Sequence, residues 1–248
     1  MLDIIIVNYN TRELTMDCIK SILGHTSVPF KLFVVDNGST DGSVDMIATK
    51  FPEVTVIRNS VNEGYAKACN KGALAGDNHF IVFLNSDTKF IKSDWAQCMI
   101  RVFEEDPKVA VAAPKLINQD GLITGCGVVG TNANPNVRGW LEPDSPDKYN
   151  EKIECVSVCG ACMMIKRENI KQLGLLDERY PFYFEETDYC YNARDKGFKV
   201  VYTPCTVVYH YHQGSSKNYS KLAQWAGIGK KIFDTKWAHM MNDERVYG

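Results

Sequence analysis

The sequence of 248 residues has no apolar run of the roughly 20 residues that a membrane-spanning helix needs. It also lacks internal repeats and low-complexity segments, and its net charge of −2 gives no reason to expect a nucleic-acid partner. Its first residues, "MLDIIIVNYN", contain no cationic leader, so we interpret them as a β-strand and not as a signal peptide. The length and ordinary composition favour a globular domain with a sizeable core.

Glycine-rich nucleotide loops are also missing. A dinucleotide-binding fold places G-x-G-x-x-G between its first strand and the following helix, where this chain reads "NYNTRE", and no P-loop is present. The phosphates of a bound nucleotide would therefore not be held by a glycine-rich turn. A divalent metal held by Asp87 would neutralise a diphosphate instead.

The nine cysteines are odd in number and follow no regular framework. We therefore expect reduced thiols and a cytosolic setting. Cys159 and Cys162 form a C-x-x-C pair next to Cys155, but the spacing to any second pair of ligands matches no zinc ribbon or finger. We interpret these cysteines as small residues packed in a strand beside Gly160.

Strand-like and helix-like segments alternate through the first half of the chain. Short apolar runs predict strands at 3–8, 31–36, 54–59, 80–85 and 109–116. Helical spacing predicts helices at 12–23, from the 38–42 turn to about 50, at 64–75 and at 93–105, the last with Ser93 as its N-cap. This alternation predicts a mostly parallel, doubly wound sheet flanked by helices.

The second half is less regular. Residues 118–152 are rich in Gly, Asn, Pro and Asp, which is typical of a long functional loop or lid, with a short hairpin as an alternative. A strand then leads into a short helix that ends near Gly174, and residues 198–212 are predicted to form two more strands. The tail after Ser215 is predicted to be helical. Its proposed packing face consists of Trp225, Ile228, Ile232 and Trp237.

Polar side chains follow each of the first four predicted strands. The segments are Asn8-Tyr9-Asn10, Asp36-Asn37-Gly38-Ser39, Asn62-Glu63-Gly64-Tyr65 and Asn85-Ser86-Asp87. One polar strand end is unremarkable, because loops are polar. Ligands of doubly wound sheets bind beyond the carboxyl ends of the strands, so four polar ends in succession predict a polar ligand cleft at one sheet edge.

Six segments resemble, in order, the motifs of the family 2 glycosyltransferases, which have the GT-A fold. They are "IIIVNYNTRELTMDCIKSI", "VVDNGSTDGS", "NEGYAKACNKG", "FLNSDT", "FYFEETDYCYNARDKGFKV" and "YHYHQGSS". The resemblance covers roughly residues 1–216 and is greatest to the rhamnosyltransferase-like group that acts on cell-surface polysaccharides. It implies inverting transfer of a sugar from a UDP- or dTDP-linked donor, such as dTDP-rhamnose, to a hydroxyl of a glycan or lipid-linked acceptor.

The resemblance implies a nucleotide site at the strand ends. Tyr9 would stack near the base, and Asp36 would accept a hydrogen bond from the N–H of uracil or thymine. Gly64 and Ala66 would let the backbone approach the nucleotide, and Asn70 would support that turn. The remaining implied members of the site are Asn8, Asn10, Asn62, Ser86 and Asp87.

The same resemblance implies a divalent metal, Mn²⁺ or Mg²⁺, that Asp87 binds and that bridges the diphosphate. His210 is a further candidate ligand, with His212 as its competitor two residues later. The sequence departs from the family's D-x-D pattern, because Asn85 replaces the first carboxylate. A single charged ligand binds a divalent ion weakly, so the nucleotide diphosphate would have to complete the site.

The acidic motif carries the expected catalytic base. Inverting transfer needs a group that takes the proton of the acceptor hydroxyl. Where the family usually has Glu-Asp, this chain has Glu185 and Glu186; Glu186 falls at the base position, and Asp188 is the alternative. The residues also describe a helix start stabilised by acids, with Asp188 as its cap. Arg194 is expected either to anchor the acids or phosphates or to lie on a solvated helix face.

The implied organisation is a glycosyltransferase domain over 1–216, followed by a helical tail over 217–248. Residues 1–115 would form the nucleotide-binding half and residues 116–216 the acceptor and catalytic half. The donor and acceptor pocket would include Gly160, Ala161, Arg194 and His212. Acceptor selectivity is expected in the 118–152 loop and the tail.

Two other functions stay open from the sequence. A sugar nucleotidyltransferase would share a parallel sheet but needs a glycine-rich, basic turn after the first strand, which "NYNTRE" lacks. A non-catalytic nucleotide- or carbohydrate-binding module is the second alternative, because of Asn85 and Glu186. We expect a cytoplasmic location, and a lipid-linked acceptor would bring the chain to the inner face of the membrane.

Overall fold

The computed structural model describes residues 1–145, 147–211 and 219–248, the side chains of 219–222 excepted. The strands are β1 (Leu2–Asn8), β2 (Phe30–Asp36), β3 (Thr55–Arg58), β4 (Phe80–Asn85), β5 (Thr88–Phe90), β6 (Val109–Ile117), β7 (Ile123–Gly125), β8 (Val128–Gly130), β9 (Pro135–Val137), β10 (Ile153–Glu154), β11 (Cys162–Lys166) and β12 (Lys199–His210). The α-helices are α1 (Arg12–His25), α2 (Ser43–Lys50), α3 (Tyr65–Ala75), α4 (Trp95–Glu105), α5 (Ile170–Leu173), α6 (Glu185–Asp195) and α7 (Tyr219–Lys236). Short 3-10 helices cover Arg167–Asn169 and Ala238–Met240.

The main sheet has the strand order β10-β12-β6-β11-β4-β1-β2-β3. Strand β1 is parallel to both β2 and β4, and β2 is parallel to β3, as the alternation predicted. Strand β6 does not pair with β4, because β11 from the second half of the chain inserts antiparallel between them. The parallel register places Asn8 beside Asp36, so the polar ends of β1 and β2 meet at one edge.

The central strands have continuous apolar runs because both of their faces are buried. Ile4 and Ile6 of β1 pack in a cluster with α1, α2 and α4. Ile5 and Val7 of the same strand pack in a second cluster with α3 and α6. A strand covered on both faces needs apolar residues at consecutive positions, not at alternate ones.

Helix α7 packs on the domain with most of the predicted face. Trp237 is buried in a third cluster with Tyr180 and Tyr191, Ile232 packs against that cluster, and the Trp225 ring lies 6.3 Å from the Phe182 ring. Ile228, which was also assigned to the packing face, is 43% exposed. The face turned inward further includes Gly229 and Phe233, which the spacing did not indicate.

Two predicted boundaries were wrong. Residues 198–212 do not form two strands: β12 is one strand of 12 residues whose register against β6 shifts between Thr203 and Val207. A bulge of this kind accommodates a proline without ending the strand.

Helix α4 has Asp94, and not Ser93, at its N-cap position, and no side chain caps it. The 118–152 segment does contain a short hairpin, β8–β9.

The expectation of nine reduced thiols was also wrong, because Cys98 and Cys205 form a disulfide. They are 107 positions apart, but α4 packs beside β12 and brings their Cα atoms to 5.9 Å, a normal disulfide spacing. The other seven cysteines are free. Of the three clustered cysteines, Cys162 is buried in β11, whereas Cys155 and Cys159 lie outside the strands and Cys159 is only partly buried.

No described helix combines the length and the hydropathy that crossing a bilayer requires.

Lys115 on β6 anchors the 118–152 loop to the sheet. Its side chain is buried, and its Nζ donates to Asp144 Oδ1 and to Asn150 Oδ1, both at 2.7 Å. A buried ammonium is stable only when it is paired and hydrogen-bonded, so this pairing holds one conformation of the loop.

We expect Lys115→Met to lower the free energy of unfolding by about 2 kcal/mol, because Asp144 and Asn150 lose a buried cationic donor. Urea unfolding measures the change. The matched control is Lys199→Met, which removes the more exposed pair with Asp106 and should cost clearly less. Equal losses in the two variants would contradict an anchoring role for Lys115.

Candidate active site

The Asn8 side chain organises the ends of the central strands. Its amide nitrogen donates to Asp36 Oδ1 at 2.6 Å and to Ser39 Oγ at 3.0 Å. Its carbonyl oxygen accepts from Thr11 Oγ1 at 2.8 Å and from Thr15 Oγ1 at 2.7 Å, which ties the start of α1 to the strand end. Asn8 is fully buried, and its side chain positions the strand ends that border the expected nucleotide cleft.

Asp36 closes the turn that follows β2. Its Oδ1 accepts from Asn8, and its Oδ2 accepts from the backbone N–H groups of Gly38 and Ser39 at 3.2 and 3.0 Å. Asp36 is buried to 2% exposure. In this structure the Asp36 carboxylate therefore stabilises the turn after β2. Its hydrogen bond to a nucleobase N–H stays a prediction.

Tyr9 and Asn10 lie above this network, at the surface. Tyr9 is 44% exposed, as a side chain that stacks on a ligand would be. Asn10 adopts a left-handed backbone conformation, with φ of 54°, and its side-chain oxygen accepts from the Thr40 backbone N–H at 2.8 Å. That conformation turns the chain from the strand end toward α1.

The third strand end is arranged by a glycine turn. Asn62 Oδ1 accepts from the Gly64 backbone N–H at 3.0 Å. Gly64 has a φ of 91°, and a Cβ there would lie 2.9 Å from the Pro181 carbonyl oxygen, so only glycine fits. Ala66 is buried behind it. Asn70 does not support this turn, because its amide bonds the Leu176 backbone at 2.8 and 3.0 Å.

A cavity of about 180 Å³ opens at the ends of β4 and β12. It brings together six of the predicted site residues, from segments up to 123 positions apart in the chain. They are Asp87, Gly160, Ala161, Glu185, Glu186 and His210. The lining also includes Tyr65 and Asn85, from the polar strand ends, and Cys159, beside Gly160. Four lining residues were not assigned to the site from the sequence: Thr124, Trp140, Phe182 and Tyr183.

Asp87 and His210 meet because β5 pairs antiparallel with the end of β12, where His210 lies opposite Thr88. The Tyr211 backbone N–H donates to the Asp87 carbonyl at 2.9 Å and holds this register. His210 Nε2 lies 3.5 Å from Asp87 Oδ1, and both side chains are buried. His212 lies outside the described residues, so its competing assignment stays open.

The Asp87–His210 pair fits a divalent cation that is completed by its substrate. Mg²⁺ is usually held by one or two carboxylates together with substrate phosphates, and an imidazole nitrogen is a common metal ligand. Asp87 supplies a carboxylate oxygen and His210 a ring nitrogen at the cavity wall. No third acidic, histidine or cysteine side chain joins them in the described part of the chain. The remaining ligands would therefore come from the diphosphate and water.

Glu185 and Glu186 begin α6 and also line the cavity. Burial raises the pKa of Glu185 well above its usual value, and the charge of neighbouring Glu186 adds to the rise. Burial also raises the pKa of Glu186. Oε2 of each carboxyl group has no hydrogen-bond partner among the described residues. Two buried acids with raised pKa values and unsatisfied oxygens in a cavity are typical of a catalytic site.

Gly160 lets the backbone pass close to the second acid. A Cβ at this position would lie 3.1 Å from Cβ and Cγ of Glu186. Any larger residue would push the Glu186 side chain out of its place. Glycine at position 160 therefore leaves room for the Glu186 side chain, which is a local reason for a glycine in the predicted pocket.

Asp188 does not cap α6, contrary to the interpretation from sequence. Phe184 occupies the N-cap position, and no side chain caps the helix. Asp188 is buried and accepts from Tyr180 Oη at 2.9 Å, Trp237 Nε1 at 2.8 Å and Lys236 Nζ at 2.8 Å. Its side chain points away from the cavity and joins α6 to α7, which also leaves it poorly placed to act as the base.

Arg194 is neither solvated nor at the cavity. Its guanidinium donates to the Val156 carbonyl at 2.8 Å and to Asn132 Oδ1, and it stacks over Tyr191 and Tyr247. It therefore joins α6 to the 118–152 segment and the C-terminus. These contacts match neither role predicted for Arg194, which were to anchor the acids or phosphates or to lie on a solvated helix face.

The unassigned aromatic residues of the cavity wall form a group around its mouth. Phe182 lies 4.4 Å from Tyr183 and 6.4 Å from Tyr65, measured between ring centroids. Trp140, from the 118–152 loop, is 43% exposed. The segment "PFYFEE" held a signal for this wall, because three aromatic residues precede the acids, but spacing alone did not show which rings face the cavity.

The raised pKa of Glu185 predicts how stability depends on pH. The folded state keeps its proton to a higher pH than the unfolded chain, whose glutamate pKa is about 4.3, so stability falls as pH rises through the folded pKa. Glu185→Gln removes this loss. We expect its free energy of unfolding, relative to the wild type, to increase by about 1.4 kcal/mol or more between pH 5 and pH 8.

Urea unfolding at several pH values measures this difference. The control is Glu13→Gln, which removes a carboxylate whose side chain is 75% exposed and should change the free energy of unfolding little. A difference for Glu185→Gln that stays constant with pH would show that Glu185 is ionised at little cost in the folded state.

Comparison with known proteins agrees with this geometry. The model of the family described as glycosyl transferase family 2 matches residues 3–174, which is more than half of the chain. A low-salt glycan biosynthesis hexosyltransferase of Haloferax volcanii is 26% identical over 209 residues, covering 80% of this chain and 63% of that protein. An N-acetylglucosaminyl-diphospho-decaprenol L-rhamnosyltransferase of Mycobacterium tuberculosis is 25% identical over 246 residues, covering 87% of this chain and 78% of that protein. The chain spans less than two thirds of the length of several curated relatives that it matches.

A solved structure shares the fold. A mannosyltransferase from Pyrobaculum calidifontis, in complex with GDP-Man and Mn²⁺, superposes with a TM-score of 0.65 at 15% identity. The match covers 99% of this chain and 65% of that one. The strand order, the cavity at the strand ends and the family match lead to one assignment: this chain belongs to glycosyl transferase family 2 and has the GT-A fold.

Proposed function

We propose that the chain transfers a sugar from a nucleotide diphosphate sugar to an acceptor hydroxyl, with inversion at the anomeric carbon. The observation that carries this proposal is one cavity with two chemically different walls. We call the Asp87–His210 pair, where β5 meets β12, the first wall, and the start of α6, with Glu185 and Glu186, the second wall. Leaving-group stabilisation and proton removal are the two tasks of glycosyl transfer, and they need opposite charges at different places.

The first wall would serve the leaving diphosphate. Asp87 and His210 would hold a divalent cation, Mn²⁺ or Mg²⁺, which would neutralise the charge that develops on the diphosphate. Backbone at Gly64 and the exposed ring of Tyr9 would contact the nucleotide at the adjoining strand ends. The mannosyltransferase of similar fold, solved with GDP-Man and Mn²⁺, supports this arrangement.

The second wall would supply the base. The acceptor oxygen attacks the anomeric carbon, the bond to the diphosphate oxygen breaks with its electron pair, and the hydroxyl proton passes to the Glu186 carboxylate. Burial favours Glu186 for this task, because a raised pKa brings the group nearer to the working pH. Glu185, whose pKa is raised by burial and further by the charge of Glu186, would stay protonated beside the Glu186 carboxylate.

For the substrates we propose a UDP- or dTDP-linked donor, with dTDP-rhamnose as one candidate, and a glycan or lipid-linked acceptor. The names of the Haloferax and Mycobacterium relatives support a role in cell-surface polysaccharide synthesis. Aromatic side chains at the cavity mouth, such as Tyr183 and Trp140, have faces on which the C–H groups of a sugar ring can pack. A lipid-linked acceptor would bring the chain into peripheral contact with a membrane.

A panel of nucleotides in thermal-shift format tests the donor site. We expect UDP or dTDP to raise the melting temperature only when Mn²⁺ is present, and Asp87→Ala to remove this shift, because the variant loses the carboxylate ligand. Asp77→Ala, which removes an exposed carboxylate on another surface, should keep the shift. No shift with any nucleotide, or an intact shift in Asp87→Ala, would contradict the proposed site.

Substituting Glu186 tests catalysis separately from binding. We expect Glu186→Gln to lower kcat by about 10²-fold to 10⁴-fold, because glutamine cannot accept the proton, while the nucleotide-dependent thermal shift stays as in the wild type. Glu168→Gln, at a carboxyl group that is 73% exposed, serves as the control. Unchanged turnover in Glu186→Gln would exclude Glu186 as the base. Nucleotide binding without any turnover in the wild type would favour a non-catalytic binding module.

A further inference from the structure

The turn before the two glutamates is strained. Tyr183 and Phe184 have φ values of 67° and 73°, a left-handed conformation that side-chain-bearing residues rarely adopt, and they adopt it in succession. Phe184 is the N-cap residue of α6, and no side-chain hydrogen bond stabilises the helix start. Local interactions therefore do not explain why the turn keeps this shape. Strain of this kind persists only where surrounding structure holds it.

The orientation of the glutamates depends on this turn. Oε2 of Glu185 and Oε2 of Glu186 lack hydrogen-bond partners among the described residues, and the backbone N–H groups that reach the two carboxyl groups belong to the start of α6 itself. Their position follows from the backbone that leads into α6. A change in the Tyr183–Phe184 turn would move both acids relative to Asp87 and His210.

Helix α7 packs directly on the turn through a glycine. A Cβ at Gly229 would lie 3.1 Å from Phe184 Cδ2, 3.2 Å from the Tyr183 carbonyl oxygen and 3.5 Å from Tyr180 Cδ1. Glycine is unfavourable inside a helix, and here it permits a close approach: a Cβ would require the Tyr183–Phe184 turn to shift by a few tenths of an ångström. Gly229 is buried, whereas a Cβ at Gly227, two positions earlier, would have no atom within 4 Å.

Three further residues on the same face of α7 and just after it extend this contact. The Phe233 ring lies 5.5 Å from the Phe184 ring and 4.7 Å from the Tyr191 ring, so it joins the turn to α6. Lys236 and Trp237 donate to Asp188 at 2.8 Å each. These residues follow Gly229 at intervals of four, seven and eight positions, which is the spacing of one helix face.

We infer that α7 is a positioning element for the catalytic acids, with Gly229 as the residue that lets it hold the strained Tyr183–Phe184 turn. The inference rests on the proposed function, because it assumes that Glu186 is the base. The helix contributes no group to the reaction. It selects the one backbone conformation that directs both carboxyl groups into the cavity.

The test compares Gly229→Ala with Gly227→Ala in the full chain. Alanine favours helix at both positions, so a role in helix formation alone predicts higher thermal stability and unchanged kinetics for both variants. If Gly229 positions the turn, Gly229→Ala lowers kcat by about 10-fold to 100-fold and leaves the nucleotide-dependent thermal shift unchanged, because the strand-end site is untouched. Gly227→Ala keeps wild-type kcat.

A second variant and a second measurement cover the case in which Gly229→Ala folds poorly. Trp237→Phe keeps an aromatic ring but removes the hydrogen bond to Asp188, and it should lower kcat in the same direction by a smaller factor. Hydrogen exchange of amides in residues 180–186 should be faster in Gly229→Ala and Trp237→Phe than in the wild type and Gly227→Ala.

The outcomes separate this inference from the proposed function. Wild-type kcat in Gly229→Ala, or equal exchange rates in all variants, would overturn the positioning role. A wild-type chain that transfers no sugar from any donor would overturn the proposed function. Exchange at residues 180–186 would still decide whether α7 holds the turn.

Discussion

The hydrogen bonds of the buried Asn8 amide are the constraint on which the ligand-binding edge of the sheet depends. One side chain satisfies Asp36 and Ser39 beyond β2 and accepts from Thr11 and Thr15 at the start of α1. Thr11 in turn lies 2.9 Å from Ser86 Oγ, which follows β4. A buried network is stable only when each member is paired, so these partners hold three strand ends and one helix in a single arrangement. Tyr9 and the cavity are positioned above it.

The cavity combines groups that would be unfavourable elsewhere. The carboxyl groups of Glu185 and Glu186 are removed from water, and burial therefore raises their pKa values and favours their protonated forms. Asp87 shares the same space but lies beside His210. Both pairs line one cavity of about 180 Å³. This juxtaposition, and not any single motif, is what supports the proposed glycosyl transfer.

The less stable features of the site are offset by packing outside it. Two successive left-handed residues, Tyr183 and Phe184, aim the acids into the cavity. The third apolar cluster, with Phe233 and Trp237, surrounds this turn from the other side. Asp188, whose three donors come from Tyr180, Lys236 and Trp237, joins the same contact. Functional sites often contain such strain, which the rest of the domain then has to stabilise.

Local pattern in the sequence was enough to establish β1, β2, β4 and their helices, because a strand buried on both faces needs a continuous apolar run and a ligand edge needs polar strand ends. The resemblance to the family's motifs, in their order along the chain, placed Asp87, Glu185, Glu186 and His210 among the candidates. Tertiary structure alone decided the insertion of β11 between β4 and β6, the disulfide of Cys98 with Cys205 and the pairing of Asp188 with α7. These features join residues that are tens of positions apart, and a pattern that repeats every two to four residues carries no record of which distant segments meet.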